Sequence, residues 1–302
     1  MHAPSQPLNI SLVAHLVAAV LYRGTLAARA LFGSQQPVTG STARRGIKQS
    51  GRVSLVGAGP GDPELLTLKA LRALQEADVI LHDQLVSTEV LALAPSRAER
   101  IHVGKKGYGA ACRQNDINDL MVALASAGRR VVRLKAGDAL MFGRLDEEIA
   151  ALVAAGIAFD VVPGISAAQG AAAGLGISLT RRRGARRFQA ITGHAADGRL
   201  PDDFDWAGLA DPKATTAVYM PKATIAALCR ELLRRGLSAE HPAVAVFNAT
   251  RADQLIVAAS VETLPERVAA VDSGAPCIIL IGIDAANAAF TARSAVRECV
   301  SV

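Results

Sequence analysis

Five places in this sequence carry residues whose types and spacing can do chemistry. Gly57-Ala-Gly-Pro-Gly-Asp62 joins an apolar run to the start of a helix, and Asp83, Lys105 and Gly137-Asp138 each close or follow a short run rich in Val, Ile or Leu. Glycines remove the Cβ atoms that keep backbone away from a ligand, and an aspartate can accept hydrogen bonds from one. The fifth place, Arg181-Arg-Arg-Gly-Ala-Arg-Arg187, puts five arginines in seven residues. It reads equally as a grip for anionic groups and as a solvated basic loop.

The elements that must hold these residues follow from the pattern of apolar runs. Val53–Val56 reads as a buried strand, with Asp62 as cap and Pro63 opening a helix over residues 64–76. Further strands are expected at 78–83, 100–103, 130–134 and 159–162, with helices at 85–93, 115–127 and 145–155. Ile117, Leu120, Met121 and Leu124 recur at helical spacing. Alternating strands and helices imply a parallel sheet with right-handed crossovers, and such sheets bind ligands at the carboxyl ends of their strands. After Pro163-Gly164 a second unit is expected, with strands at 188–192, 216–220, 243–247, 255–258 and 277–281, and helices at 166–174, 224–235 and 261–271.

A dinucleotide fold is the first hypothesis for a strand–glycine loop–helix unit. Asp83 stands where a ribose-binding acid would sit, but the G-x-G-x-x-G fingerprint fails, since its sixth place is Asp62. The formal charge of +6 over 302 residues is modest and uneven, which favours an anionic small molecule over nucleic acid. The four cysteines are scattered, with no metal-ligand spacing, so no metal site is expected and reduced thiols in a cytoplasm are. Residues 1–50 contain no acid. They fit an extension, poorly ordered apart from one helix, better than a transit peptide or a membrane-surface helix over residues 10–30.

Seven segments then occur in order: Gly57-Ala-Gly-Pro-Gly-Asp-Pro-Glu-Leu-Leu-Thr-Leu-Lys69, Asp78-Val with Asp83-Gln-Leu-Val86, Val103-Gly-Lys-Lys106, Val132-Arg-Leu-Lys-Ala-Gly-Asp138, Phe142-Gly-Arg144, Val161-Val-Pro-Gly-Ile165 and Thr192-Gly-His194. Across about residues 52–284 the chain resembles the uroporphyrinogen-III C-methyltransferases of the tetrapyrrole methylase superfamily. It resembles their stand-alone form, with no dehydrogenase/chelatase domain ahead of the methylase. The resemblance implies an α/β protein of two domains, 51–163 with a parallel sheet and 164–290 with a mixed one, followed by a tail at 291–302. It also implies a homodimer that binds S-adenosyl-L-methionine between the domains and methylates two carbons of uroporphyrinogen III, giving precorrin-2 for sirohaem or cobalamin.

Site residues follow from the same resemblance. Asp83 and Lys105 match functional positions: Asp83 would anchor pyrrole N–H groups or handle a proton, and Lys105 would stabilise negative charge. Pro60, Ala136, Gly137, Asp138, Met141, Ser166, Ala167, Met220, Ala249 and Pro276 would surround the cofactor. Arg144, at a family position, together with Arg181 and Arg182 of the basic run, would grip the eight carboxylates of the macrocycle. The chain departs from the family pattern at Ala110, Ala136, Ala139, Arg183 and Pro221. Ala136 would be strained if its position needs a positive φ. These departures keep two alternatives open, a methylase of a later precorrin and a non-catalytic paralogue that binds tetrapyrrole.

Overall fold

The computed structural model describes residues 51–104, 113–195, 198–271 and 274–285. The extension at 1–50, the tail at 291–302, Lys105 and Ala110 lie outside the described residues.

The first sheet holds β1 (Arg52–Gly57), β2 (Val79–His82), β3 (Glu99–His102), β4 (Arg130–Lys135) and β5 (Ala158–Val162), all parallel, in the order β3-β2-β4-β1-β5. A dinucleotide fold places β1 between β2 and β4. Here β4 separates β1 from β2, so the topology parts from that fold as the fingerprint does. Helices α1 (Leu68–Glu76), α2 (Thr88–Ala92), α3 (Gln114–Ser126) and α4 (Leu145–Ala154) make the crossovers.

Strand parity divides the core into two layers. Val53, Leu55, Val79, Leu81 and Val131 pack with Ile117, Leu120, Met121, Leu124 and Leu152 on one face. Val56, Ile80, Val132 and Leu134 pack with Ala70, Leu74 and Val90 on the other. The single helix expected over 64–76 is broken. Asp62 caps a short 3-10 turn at Pro63–Leu65, Leu66 turns extended at ψ 138°, and Thr67 caps α1 by accepting from Ala70 N. Two capping side chains five residues apart cannot serve one continuous helix, because each marks a non-helical position.

The second sheet is mixed. Its strands β6 (Arg187–Thr192), β7 (Ala214–Tyr219), β8 (Pro242–Phe247), β9 (Leu255–Ser260) and β10 (Cys277–Ile281) run in the order β6-β7-β10-β8-β9. The β6–β7 pair is parallel and the other pairs are antiparallel. Helices α5 (Ala167–Gly174), α6 (Trp206–Leu209), α7 (Ile225–Arg234) and α8 (Leu264–Ala269) accompany it. The one-turn helix α6 was not expected; its signal is Asp205, whose side chain accepts from Gly208 N. No helix among the described residues is long and apolar enough to cross a membrane.

Candidate active site

The carboxyl ends of β1, β4 and β5 meet through glycine. Ala58 N donates to Lys135 O at 2.7 Å, and Gly59 and Gly137 exchange backbone hydrogen bonds at 3.1 and 2.7 Å. A Cβ on Gly57 would lie 2.7 Å from Gly164 N and 2.8 Å from Gly137 O. Gly57 is therefore needed for backbone to approach backbone, not for backbone to approach a ligand. Gly137 is the position with room: its φ is +70°, and an added Cβ would meet only Ala167 N, at 3.8 Å.

Beyond these ends lies a cavity of about 490 Å³ between the two sheets. Nine of the ten residues expected around the cofactor line it: Pro60, Ala136, Gly137, Asp138, Met141, Ala167, Met220, Ala249 and Pro276. Ser166 is the exception. It is buried and caps α5, accepting from Gln169 N at 3.3 Å while Gln169 Oε1 accepts from Ser166 N at 3.0 Å. The positive φ falls on Gly137 and not on Ala136, so Ala136 carries no backbone strain. Ala139 is fully buried in the first core.

The walls suit an adenosyl thioether ligand. They are largely apolar, with Met141, Phe142, Tyr219 and Val246 among them, and Asp138 is the single carboxylate among the described lining residues. Asp138 Oδ1 accepts from Leu140 N at 3.2 Å and Gly164 N at 3.3 Å, which fixes the group at the cavity edge. Ala167, at the start of α5, reaches the same space, while the next two N–H groups of the helix donate to Tyr219 Oη at 3.4 Å and Ser166 Oγ at 3.3 Å. Phe142 and Met220 line the cavity with φ of 53° each, and Asn248 and Thr250 flank Ala249 with φ of 46° and 68°. Non-glycine residues rarely adopt such angles, and they gather where a surrounding structure over-determines the backbone, often at ligand clamps.

Asp83 follows β2 and does not line this cavity. It is the outer end of a charged chain that runs into the core. Arg133 Nη2 donates to Asp83 Oδ1 at 2.6 Å and Arg133 Nε to Glu148 Oε1 at 2.9 Å, and Lys135 Nζ donates to the same Glu148 oxygen at 2.8 Å. Arg133, Lys135 and Glu148 are all buried. Burial pushes the Lys135 ammonium below the usual lysine range. For Arg133 the surrounding carboxylates outweigh burial, and its value is raised. The sequence reading missed all three. A signal was present: Arg133 and Lys135 sit two apart in an apolar strand, on the face of Val131, and Glu148 falls between Leu145 and Leu152 on the buried stripe of α4.

The arginines expected to bind substrate stand elsewhere. Arg144 caps α4 with φ 53° and pairs with Glu147 through two bonds of 2.6 and 2.8 Å. Arg181 Nη2 donates to the Gly282 carbonyl at 2.9 Å, Arg187 pairs with Asp211 at 3.0 Å, and Arg182 is exposed. None of these lines the cavity, whose basic residues are His194, Lys222 and Arg251.

Similar proteins place this architecture. Residues 52–265 match the family model of Tetrapyrrole (Corrin/Porphyrin) Methylases. The siroheme synthase of Methylococcus capsulatus is 50% identical over 232 residues, covering 77% of this chain and 49% of that protein, so the chain spans about half the length of such relatives. The uroporphyrinogen-III C-methyltransferase of Paracoccus denitrificans is 47% identical over 245 residues, 81% of this chain and 85% of that one. Among solved structures, a uroporphyrin-III C-methyltransferase from Thermus thermophilus, complexed with S-adenosylhomocysteine, superposes with a TM-score of 0.65 at 39% identity. It covers 76% of this chain and 97% of its own. The chain belongs to the tetrapyrrole methylase family.

Proposed function

We propose that this chain is an S-adenosyl-L-methionine-dependent C-methyltransferase that converts uroporphyrinogen III to precorrin-2. The observation that carries the reading is the cavity between the two sheets, where nine of the ten cofactor positions read from sequence come together around an apolar space. The family membership and the named relatives support the same chemistry.

Bound there, the cofactor would supply an electrophilic methyl group. The residues supply position, which is the larger part of the task in a displacement that needs the acceptor carbon in line with that methyl. Gly137 gives the backbone room to approach, and Asp138 offers its carboxylate to ligand N–H or O–H groups. Leu85, Leu140, Phe142 and Met220 are exposed apolar groups, and Leu85, Phe142 and Met220 line the cavity. An exposed apolar patch beside a cleft suits the face of a tetrapyrrole ring. Asp83, held by Arg133, would accept pyrrole N–H groups or the proton that leaves the macrocycle. Lys105 completes this reading from sequence, and the exposed Arg182 and surface Arg144 would meet outer carboxylates.

Each sheet carries its own pair of core layers, which supports a division of the domains at Pro163-Gly164. The reading includes a cytoplasmic homodimer, tested by light scattering on the purified chain. The activity is tested by incubation without oxygen, with uroporphyrinogen III and methyl-labelled cofactor. Two labelled methyl groups per macrocycle are expected. Cofactor binding without transfer points to a later precorrin as substrate, and no binding at all points to the non-catalytic alternative. Unstrained Ala136 speaks against the latter.

A further inference from the structure

Arg251 stands in the cleft with its Nε unpaired. It lies on the loop after β8 and lines the cavity with Leu85 and Pro60. Its side chain reaches from the second sheet to the first. The stem crosses Gly61, where an added Cβ would lie 2.6 Å from Arg251 Cγ, and Nη2 donates to the Leu85 carbonyl at 2.5 Å. Arg251 Nε is buried without a hydrogen-bond partner. The exposed Glu89 feels the charge of Arg251, but among the described residues Arg251 forms no ion pair.

The loop is built to hold this position. Arg251 N donates to Asn248 O at 2.9 Å and Gln254 N to Arg251 O at 3.0 Å. Thr250 Oγ1 accepts from Asp62 N at 3.1 Å, and Thr250 N donates to Gln254 Oε1 at 2.6 Å. Thr250 is β-branched and yet has φ +68°, a conformation kept only where the surroundings impose it.

With Nε unpaired and no ion pair among the described residues, the Arg251 charge is uncompensated within the protein, and a charge-assisted bond from the guanidinium to a ligand carboxylate would compensate it. Among the described lining residues the one carboxylate is Asp138, whose Oδ1 takes the Leu140 and Gly164 N–H groups and which forms no ion pair with Arg251. Both ligands of the proposed reaction can supply one: the cofactor carries one carboxylate and the macrocycle eight. We propose that Arg251 is a carboxylate-binding residue of this cleft, taking a carboxylate from the bound ligand while Nη2 stays on Leu85. This rests on the function proposed above and deepens it.

The test compares the wild type with Arg251→Gln and Arg251→Lys. Calorimetry measures S-adenosylhomocysteine and 5′-methylthioadenosine, which keeps the adenosyl thioether and lacks the carboxylate. Absorbance titration measures uroporphyrin III, and thermal unfolding accompanies each variant. If the carboxylate is the cofactor's, Arg251→Gln weakens S-adenosylhomocysteine about ten-fold or more and leaves 5′-methylthioadenosine unchanged. If it is the macrocycle's, uroporphyrin III weakens to that extent and S-adenosylhomocysteine does not. Arg251→Lys recovers part of the loss in either case, because it keeps the charge. Equal weakening of both thioethers, or lower thermal stability with all affinities intact, makes Arg251 only a tie between the sheets and overturns the proposal. A wild type that binds neither S-adenosylhomocysteine nor uroporphyrin III removes the proposed function, and this inference with it.

Discussion

Arg133 donates to the Asp83 carboxylate at 2.6 Å from a side chain that is 3% exposed, while the Asp83 side chain is 33% exposed. A buried cation thus steadies a partly exposed acid just after β2, and Glu148, shared with Lys135, in turn steadies the cation. Asp83→Asn keeps the shape and removes the proton acceptor. Methyl transfer is expected to fall by about 10²–10⁴-fold with cofactor affinity unchanged. Single-turnover transfer and calorimetry on the same preparation check this.

Stability and activity separate within that network. Arg133→Leu alone leaves the buried Glu148 short of a partner and is expected to cost about 3–5 kcal/mol in urea unfolding. Replacing Arg133, Lys135 and Glu148 together by apolar residues of similar volume is expected to recover most of that loss, since no uncompensated charge stays buried. The triple variant still lacks the donor to Asp83, so methyl transfer stays low. Recovery of activity along with stability would show that Arg133 does not position Asp83.

Glycine substitutions should divide by what the new Cβ meets. Gly57→Ala drives a methyl onto the backbone of Gly164 and Gly137, and about 1–3 kcal/mol of stability should be lost. Gly137→Ala meets only Ala167 N, at an ordinary 3.8 Å, but must hold φ +70°, a strain of about 1–2 kcal/mol. Its methyl sits at the cavity wall, so S-adenosylhomocysteine affinity should fall in Gly137→Ala by more than stability alone explains. Paired thermal melts with and without that ligand measure the difference.

Two histidines are held below the usual histidine value mainly by burial. His82 packs against His102 with Asp83 and Arg133 near it, and His241 faces Arg181. The unfolded chain takes up protons near the ordinary value of 6.5 and the folded chain does not. The contribution of each is therefore present above that pH and is lost as pH falls from 6.5 toward the folded value. Melting temperature should drop between pH 7.5 and 5.5, and His82→Gln with His241→Gln should shrink the drop. An unchanged drop in the double variant would assign it to other groups.

Neighbouring arginines of the basic run should behave differently. Arg181→Ala strips a donor from the buried Gly282 carbonyl and should cost about 1–3 kcal/mol. Arg182→Ala touches an exposed side chain and should leave stability within about 0.5 kcal/mol. If Arg182 meets substrate carboxylates, its loss raises the KM for uroporphyrinogen III and leaves the cofactor KM unchanged.

The local elements were legible in the sequence because their causes are local. Continuous apolar runs of strand length, the helical spacing of Ile117, Leu120, Met121 and Leu124, and the cap at Asp62 act over a few residues. The cavity wall was legible for another reason: backbone loops at strand ends leave motif-length signatures, and Gly137-Asp138 is one. Tertiary structure alone decided three things. It set β4 between β1 and β2, which no short segment encodes. It brought Arg133, Lys135, Glu148 and Asp83 together, because strand parity and the buried stripe of α4 become one place only when the layers pack. And it carried Arg251 across to Gly61 and Leu85, a contact between residues 166 positions apart in the case of Leu85. Short-range preferences choose helix, strand and turn. Burial of both faces of each sheet chooses which distant side chains must share the interior, and so which charges end beside the cleft.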